Sequence, residues 1–361
     1  MQKLNESEEE TTGIEKNWNI RIGCMERGER NKISDVAGVT VGHCTLCDGA
    51  VQTGVTALLP HAGDLFHDKV MAACHVINGF GKSVGLLQIE ELGSIETPIL
   101  LTNTLSVGTA SQALVEYMLE KNSDIGATTG SVNPIVCECN DGELNDLRGL
   151  HVRGEHVRYA LSHCAAEFAE GAVGAGRGMR CHEMKGGIGP SSRTFLLDGR
   201  EYTLGALLLT NHALARDLII AGTPVGRMLF PNDSGAEDKG SVITILATDV
   251  PLSEHQLKRL CRRTAVGLSR TGSMMCNGSG EIVLAFTTAN RIPHYPERDI
   301  LPCGRVRDNA MDILFRAVSE VVEESVLSSM LHAEAVTGRN GRIVPSLADS
   351  LRKSGIRFGE M

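Results

Sequence analysis

Aromatic residues are scarce in this 361-residue chain: one Trp, four Tyr and eight Phe make up 4% of it. A core has to be filled instead by Val, Ile, Leu and Ala, and the 40 glycines, about 11% against a usual ~7%, point to many tight turns. Excess positive charge is lacking too. Lys and Arg total 35 against 44 acidic residues, a formal charge of −9, and no stretch is basic enough to follow a phosphate backbone, so nucleic-acid binding is disfavoured. No run of eighteen apolar residues occurs, so no membrane-spanning helix is expected. The opening MQKLNESEEETTGIEKNWN is polar where a secretion signal would be basic and then apolar. The 11 cysteines, an odd number dispersed from Cys24 to Cys303, do not read as a disulfide framework. Reduced thiols and a cytoplasmic location are expected.

What is present reads as a mixed α/β or α+β enzyme, long enough to bury a full core. Residues 1–19 are too polar to pack and are expected as a disordered tail, with order beginning near Ile20 and one catalytic domain over 20–361. IRIGC and VAGVTVGHCTL read as strands. VTALL, VGLLQ and TPILL are short apolar runs between turns, VGLLQ fitting a strand at least as well as a helix. Over 154–170, Val157, Ala160, Leu161, Cys164 and Phe168 fall at helical spacing and lead into a long Gly-rich loop, AVGAGRGMRCHEMKGGIGPSSR. PNDSGAEDKG, residues 231–240, is the most linker-like interior stretch and should be exposed. Beyond it the pattern runs strand, helix, strand, helix. SVITILATDV is followed by an amphipathic helix, opened by the capping box Ser253/Gln256 and carrying Leu257, Leu260, Cys261, Ala265 and Leu268; EIVLAFTTAN then precedes a helix over about 307–332.

The Gly240-Ser241 step sits where this linker meets a β-forming strand. A serine made N-terminal by cleavage there would carry its own general base, because an α-amine has a pKa near ~7.7–8.0 and is partly neutral at physiological pH. The alternative is a simple turn entering a strand. In NGSGEIVLAF, Ser279 and Glu281 are two apart and share a face if the strand already includes Ser279; the alternative is a strand-edge Glu in water. Asn211 ends an apolar strand, placed either to donate to an oxyanion or to close a turn. IVCECNDGELND gathers Glu138, Asp141, Glu143 and Asp146 around a DG turn, as a pocket wall or a solvated hairpin.

Three other motifs are weaker. His43 with Cys44 and Cys47, and Cys137 with Cys139, lack a second CxxC at zinc-ribbon spacing, so no metal is expected. GFGKS at 79–83 lacks the first P-loop glycine, where Val76 stands. Gly81-Lys82-Ser83-Val84-Gly85 spells GxSxG, and a hydrolase elbow there needs a helix starting at Ser83.

Taken together, KISDVAGVTVGHCTL, TGVTALLPH, ELGSIETPILLTNTLSVGTA, NDGELND, KGGIGPSSR, DKGSVITILATDVPLS and GSGEIVLAFTTAN resemble, in order, the DmpA-type L-aminopeptidase/D-esterase family, which includes the β-aminopeptidases. The resemblance runs from about Asn31 to the end of the long C-terminal helix. It implies a precursor that cuts itself between Gly240 and Ser241 into chains 1–240 and 241–361, with Ser241 as the N-terminal nucleophile. It places the family's second Ser and its Glu on Ser279 and Glu281, an oxyanion Asn on Asn211 and an active-site Glu on Glu138. Where family representatives carry a Tyr two residues after that Glu, this chain has Asn140, a departure that bears on the substrate pocket.

The fold implied is α+β, a four-layer αββα sandwich of the DmpA/ornithine acetyltransferase type resembling the N-terminal nucleophile hydrolases. The implied activity is release of an N-terminal residue from short peptides, amino-acid amides or esters, without a cofactor. A homo-oligomer of cleaved heterodimers is implied as well. Two alternatives stay open: an acyltransferase like the ornithine acetyltransferases, which use Thr where this chain has Ser241, and a non-catalytic scaffold or binding protein left uncut at Gly240-Ser241.

Overall fold

A computed structural model describes residues 14–231 and 240–358. In chain order its main elements are α1 (Ile14–Trp18), β1 (Thr40–Asp48), β2 (Val51–Leu59), β3 (Asp68–Gly79), α2 (Leu86–Leu92), β4 (Ser94–Ile95), β5 (Ile99–Asn103) and α3 (Val107–Lys121). There follow β6 (Ile135–Cys139), α4 (Gly154–Ser162), β7 (Arg180–Cys181), β8 (Met184–Lys185), β9 (Ile188–Leu197), β10 (Arg200–Asn211) and α5 (Val225–Leu229). The last part holds β11 (Ser241–Thr248), α6 (Glu254–Cys261), α7 (Thr264–Arg270), β12 (Gly280–Pro293), α8 (Met311–Leu331) and α9 (Leu347–Ser354).

One sheet has four strands in the order β1-β2-β5-β6, and a second has six in the order β4-β3-β12-β11-β10-β9. Strand alternation distributes their side chains among successive apolar layers. Leu207, Leu209, Ile243, Ile245, Ile282, Leu284 and Phe286 of the larger sheet meet Val41, Leu58, Ile99, Leu101, Ile135, Cys137 and Cys139 of the smaller. Alternate residues of the larger sheet, among them Leu208, Val242, Leu246, Val283 and Ala285, turn the other way onto Leu314, Val318, Val321 and Val322 of α8. On the far side, Val55, Ala57, Leu100 and Val136 pack against Ala110, Leu114 and Met118 of α3 and Val157, Ala160 and Leu161 of α4. The result is helices, sheet, sheet, helices, the αββα order expected. Each fully buried aliphatic side chain contributes about 1.5–3 kcal/mol. Among the described residues no helix is long and apolar enough to cross a membrane.

Several local expectations are corrected. Order begins before Ile20: α1 is a short helix whose Ile14 is buried. IRIGC is not a strand. Its carbonyl at Ile22 accepts from Arg193 Nη2 (2.8 Å), and the N–H groups of Cys24 and Met25 donate to the Glu320 carboxylate (both 3.1 Å), so buried charged side chains satisfy a backbone that a sheet would otherwise pair. VGLLQ enters a helix: Gly85 and Gly93, both left-handed, bracket α2. The helix predicted over 154–170 stops at Ser162, because Ala165 exchanges both backbone bonds with Val41 (3.0 and 3.1 Å) and draws the chain onto β1. Phe168 lies in the layer between the sheets instead. The Gly-rich stretch holds the β7–β8 hairpin and the start of β9. The helix opened by Ser253 is two helices, α6 and α7, with Thr264 Oγ1 donating to the Cys261 carbonyl (2.7 Å) at the break. Within PNDSGAEDKG, residues 232–239 lie outside the described residues, as do 1–13 of the expected tail.

Helix α8 lies close on β9 and β10 because the contact is built from small residues. Ser191 Oγ donates to the Val321 carbonyl (2.8 Å), Ser329 shares a hydrogen bond with Thr210 (2.6 Å), and a Cβ at Gly189 would stand 1.9 Å from the Ser325 carbonyl oxygen. Gly189→Ala should therefore force the helix off the sheet. We expect about 2 kcal/mol or more of destabilisation, read as a lower urea midpoint; an unchanged midpoint would contradict this packing.

Candidate functional site

Three strand ends meet at one level of the larger sheet. Asn211 at the end of β10 pairs with Ser241 at the start of β11, and Ser241 pairs in parallel with Gly280 at the start of β12. The Gly240 carbonyl projects into this junction. It accepts from Ser241 Oγ (2.7 Å) and from the backbone N–H of Gly280 (3.0 Å). Both glycines are required by space. A Cβ at Gly240 would lie 2.1 Å from the Asn211 carbonyl oxygen and 2.7 Å from His212 Cα; one at Gly280 would lie 2.7 Å from the Phe80 carbonyl oxygen and 3.1 Å from Ser241 Oγ. A hydroxyl and a backbone donor thus converge on one peptide carbonyl.

The buried Asn211 side chain is held at both ends. Its Oδ1 accepts from the Arg180 N–H (2.9 Å) and its Nδ2 donates to the Asn140 carbonyl (3.0 Å), which leaves the second N–H of the amide for another acceptor. Asn140 takes part through its backbone. Its exposed side chain turns away, Oδ1 accepting from the Gly142 N–H (2.9 Å).

Ser279 and Glu281 are fully buried and the Ser279 hydroxyl donates to Glu281 Oε1, so the two side chains meet, although β12 begins only at Gly280 and Ser279 belongs to the turn before it. By alternation Glu281 shares the helix-side face with Val283 and Ala285, whereas Ser241 shares the inter-sheet face with Ile243 and Ile245. The carboxylate and the Ser241 hydroxyl flank the junction from opposite sides of the sheet. Glu138, also buried, accepts from the Lys82 N–H (2.7 Å) and from Thr104 Oγ1. Its carboxylate staples the 80–83 loop, whose Phe80 carbonyl lies over Gly280.

Sequence reasoning misses two participants. Cys139 carries its thiol from the smaller sheet to the larger, donating to the carbonyls of Ser241 (3.4 Å) and Leu209 (3.7 Å), and burial pushes that thiol well above its ordinary pKa. Period-two alternation in IVCEC would have put Cys137 and Cys139 on one face. Asn78, at the end of β3, donates to the carbonyls of Cys276 (3.1 Å), Asn277 (3.3 Å) and Ser279, and so fixes the turn before β12. Its neighbours in sequence give no signal of that role.

The remaining motifs resolve plainly. Around the DG turn, Asp141 is buried and pushed up to about 7 by desolvation, Glu143 pairs with Arg180 (2.6 Å) and Arg342, and Asp146 pairs with His151 (3.1 Å). The stretch is not a hairpin: the strand beside β6 is β5, in parallel, and the chain after the turn goes on to α4. His43 is engaged at both ring nitrogens, by Thr56 Oγ1 (2.9 Å) and the Ala169 carbonyl (3.1 Å). Ser83 is no elbow: α2 begins only at Leu86, after Val84 has bridged to Val136, and the Ser83 hydroxyl faces the Cys137 thiol.

Residues 31–344 match the sequence profile of Peptidase family S58. The chain belongs to peptidase family S58. It is a hydrolase of the aminopeptidase class and its substrates are peptides. It is 36% identical over 345 residues to beta-peptidyl aminopeptidase BapA of Sphingosinicella microcystinivorans, covering 89% of this chain and 86% of that one. Among solved structures, the PH0078 protein from Pyrococcus horikoshii OT3 superposes with a TM-score of 0.89 at 49% identity, over 94% of this chain and 99% of that one. The L-aminopeptidase D-Ala-esterase/amidase of Ochrobactrum anthropi, described as a prototype of the serine aminopeptidases and a variant of the Ntn hydrolase fold, gives 0.84 at 35% identity over 93% and 97%. This S58 chain thus carries the α+β fold that its motifs implied.

The clamp at Asn78 generates a prediction for the S58 site. Asn78→Ala should loosen residues 276–279 while the β12 core stays closed. Hydrogen exchange should quicken there at least fivefold, matching loss of about 1 kcal/mol; unchanged protection would show that the turn holds without the amide.

Proposed function

We propose that this chain cuts itself between Gly240 and Ser241 and then acts as an N-terminal-serine aminopeptidase on short peptides, amino-acid amides or esters. The observation that carries the reading is the Ser241 hydroxyl lying 2.7 Å from the Gly240 carbonyl oxygen that the Gly280 N–H also holds. In maturation the Ser241 oxygen bonds to the Gly240 carbonyl carbon, the carbon–nitrogen bond breaks, and the hydroxyl proton passes to the departing Ser241 nitrogen. Water then hydrolyses the resulting ester. It leaves a Gly240 carboxylate, the restored hydroxyl and a free α-amine.

In turnover the same hydroxyl attacks the substrate carbonyl, and the α-amine takes its proton and returns it to the leaving amine. Once Gly240 has separated, the Gly280 N–H is available to polarise the substrate oxygen, beside the uncommitted N–H of Asn211. Ser279 and Glu281 hold the amine from the helix side of the sheet. The carboxylate raises the amine's pKa and burial lowers it, so the two effects oppose. Glu138 acts by fixing the 80–83 loop that walls the site. Assembly as a homo-oligomer of cleaved heterodimers and a cytoplasmic location belong to the same proposal, resting on the resemblance and on composition.

Substitution tests it. Ser241→Ala should stay uncut and be inactive against an amino-acid p-nitroanilide; turnover above buffer would remove Ser241 as nucleophile. Asn211→Ala, checked for folding by circular dichroism, should be slowed about 10²- to 10³-fold without losing activity. With an amine as base, kcat/KM should fall tenfold per pH unit below the amine's pKa, which starts from ~7.7–8.0. A profile flat from pH 5 to 9 would contradict that role.

A further inference from the structure

Beside this junction stands a cluster that the proposed chemistry does not use. Strands β7 and β8 are joined by a two-residue turn in which His182 (φ 47°) and Glu183 (φ 57°) both adopt the left-handed conformation, where glycine or asparagine is usual. The turn sends the His182 ring inward, fully buried. Its backbone N–H donates to the His212 carbonyl (2.8 Å), and its Nδ1 bonds to the Leu214 carbonyl (2.9 Å). Because a carbonyl only accepts, the proton lies on Nδ1 and the lone pair on Nε2. This is the orientation that metal-binding imidazoles take.

Among the described residues that Nε2 has no hydrogen-bond partner, and neither has Nε2 of His212, whose side chain is also buried. A fully buried ring nitrogen such as His182 Nε2, left without a partner, is unfavourable unless something binds there, and His212 turns its Nδ1 toward the same group. Burial pushes the His182 ring down to about 4 and the His212 ring to about 3. Cys181 completes the group. Its sulfur lies 3.9 Å from His212 Nδ1, and one donor atom from each of the three residues lies within 4.8 Å of the others.

We propose that Cys181, His182 and His212 bind one thiophilic d10 cation, zinc(II) or copper(I). Metal–sulfur and metal–nitrogen bonds near ~2.3 and ~2.0 Å would draw the donors to about 3.5 Å apart, a closure of roughly an ångström by ring and thiol rotation. A thiolate with two neutral imidazoles is a soft set suited to either ion. Copper(I) gives a neutral trigonal site, and zinc(II) keeps a fourth position for solvent. The neighbouring Lys185 spends its ammonium group on the carbonyls of Gly176, Met179 and Gly186, and burial pushes it down to about 7. The bound ion would tie the β7–β8 hairpin to the end of β10, where His212 follows Asn211 and packs on Gly240. The inference stands whether or not the chain cuts itself.

The test uses the full-length protein, reduced and stripped by chelator dialysis. Cobalt(II) reports the zinc arm through its thiolate charge-transfer band, and copper(I) is titrated against a chromophoric chelator. One equivalent of at least one ion should bind, with sulfur in its coordination shell by X-ray absorption. At a hundredfold excess over Kd, the thermal midpoint should rise by a few degrees. Cys181→Ser should abolish the sulfur signature, and His182→Gln should weaken binding at least tenfold. Cys303→Ser, on an exposed thiol, should change nothing. Failure of the wild type to bind either ion would overturn the proposal. So would a shell of nitrogen and oxygen alone, or a sulfur signature that persists in Cys181→Ser; if that variant does not fold, undiminished binding by His182→Gln does the same.

Discussion

Everything at the site depends on how closely three strand ends approach one another. Gly240 and Gly280 have no side chains to hold β10, β11 and the 80–83 loop apart, so a peptide carbonyl lies within reach of a hydroxyl and a backbone N–H at once. A methyl group at either position would collide with backbone, which cannot rotate away as a flexible side chain can. The geometry is a property of the ends of three interior strands of the larger sheet. It is therefore organised before any substrate arrives.

The layers around it supply the rigidity. Ser241, Ile243 and Ile245 point between the sheets, where Cys139 reaches across to the Ser241 carbonyl, while Glu281 and Ser279 stand on the helix side. A strand sandwiched in this way can be addressed from both faces, by a hydroxyl and an amide on one and a buried serine–carboxylate pair on the other. The small-residue contact of α8 on β9 and β10 and the Arg193 side chain with Glu320 and Glu324 hold the outer layer in place.

Much of this is legible in the sequence because it is local. Ser279 and Glu281 are two apart at the head of an apolar strand, although the strand itself starts between them, Asn211 and Ser241 stand where apolar strands end and begin, and the capping box at Ser253 follows from two residues three apart. What is not legible depends on distant partners. IRIGC has the composition of a strand, yet Arg193 and Glu320, far along the chain, take its backbone groups. VGLLQ is too short for its period to decide between helix and strand, and the glycines on either side settle it. Asn140 matters through its carbonyl, which side-chain chemistry cannot announce. The His182 turn is hidden inside a run that reads as one glycine-rich loop, so the meeting of Cys181, His182 and His212 becomes visible only with the hairpin and the end of β10 in place.

The central claim is that Ser241 becomes a chain terminus, and denaturing intact-mass analysis of the purified protein with N-terminal sequencing tests it most directly. Cleavage would divide the 38.7 kDa chain into pieces of about 26 and about 13 kDa in proportion to their lengths, the smaller beginning at Ser241. A single intact mass persisting after long incubation, or a new N-terminus at any other residue, would contradict the account.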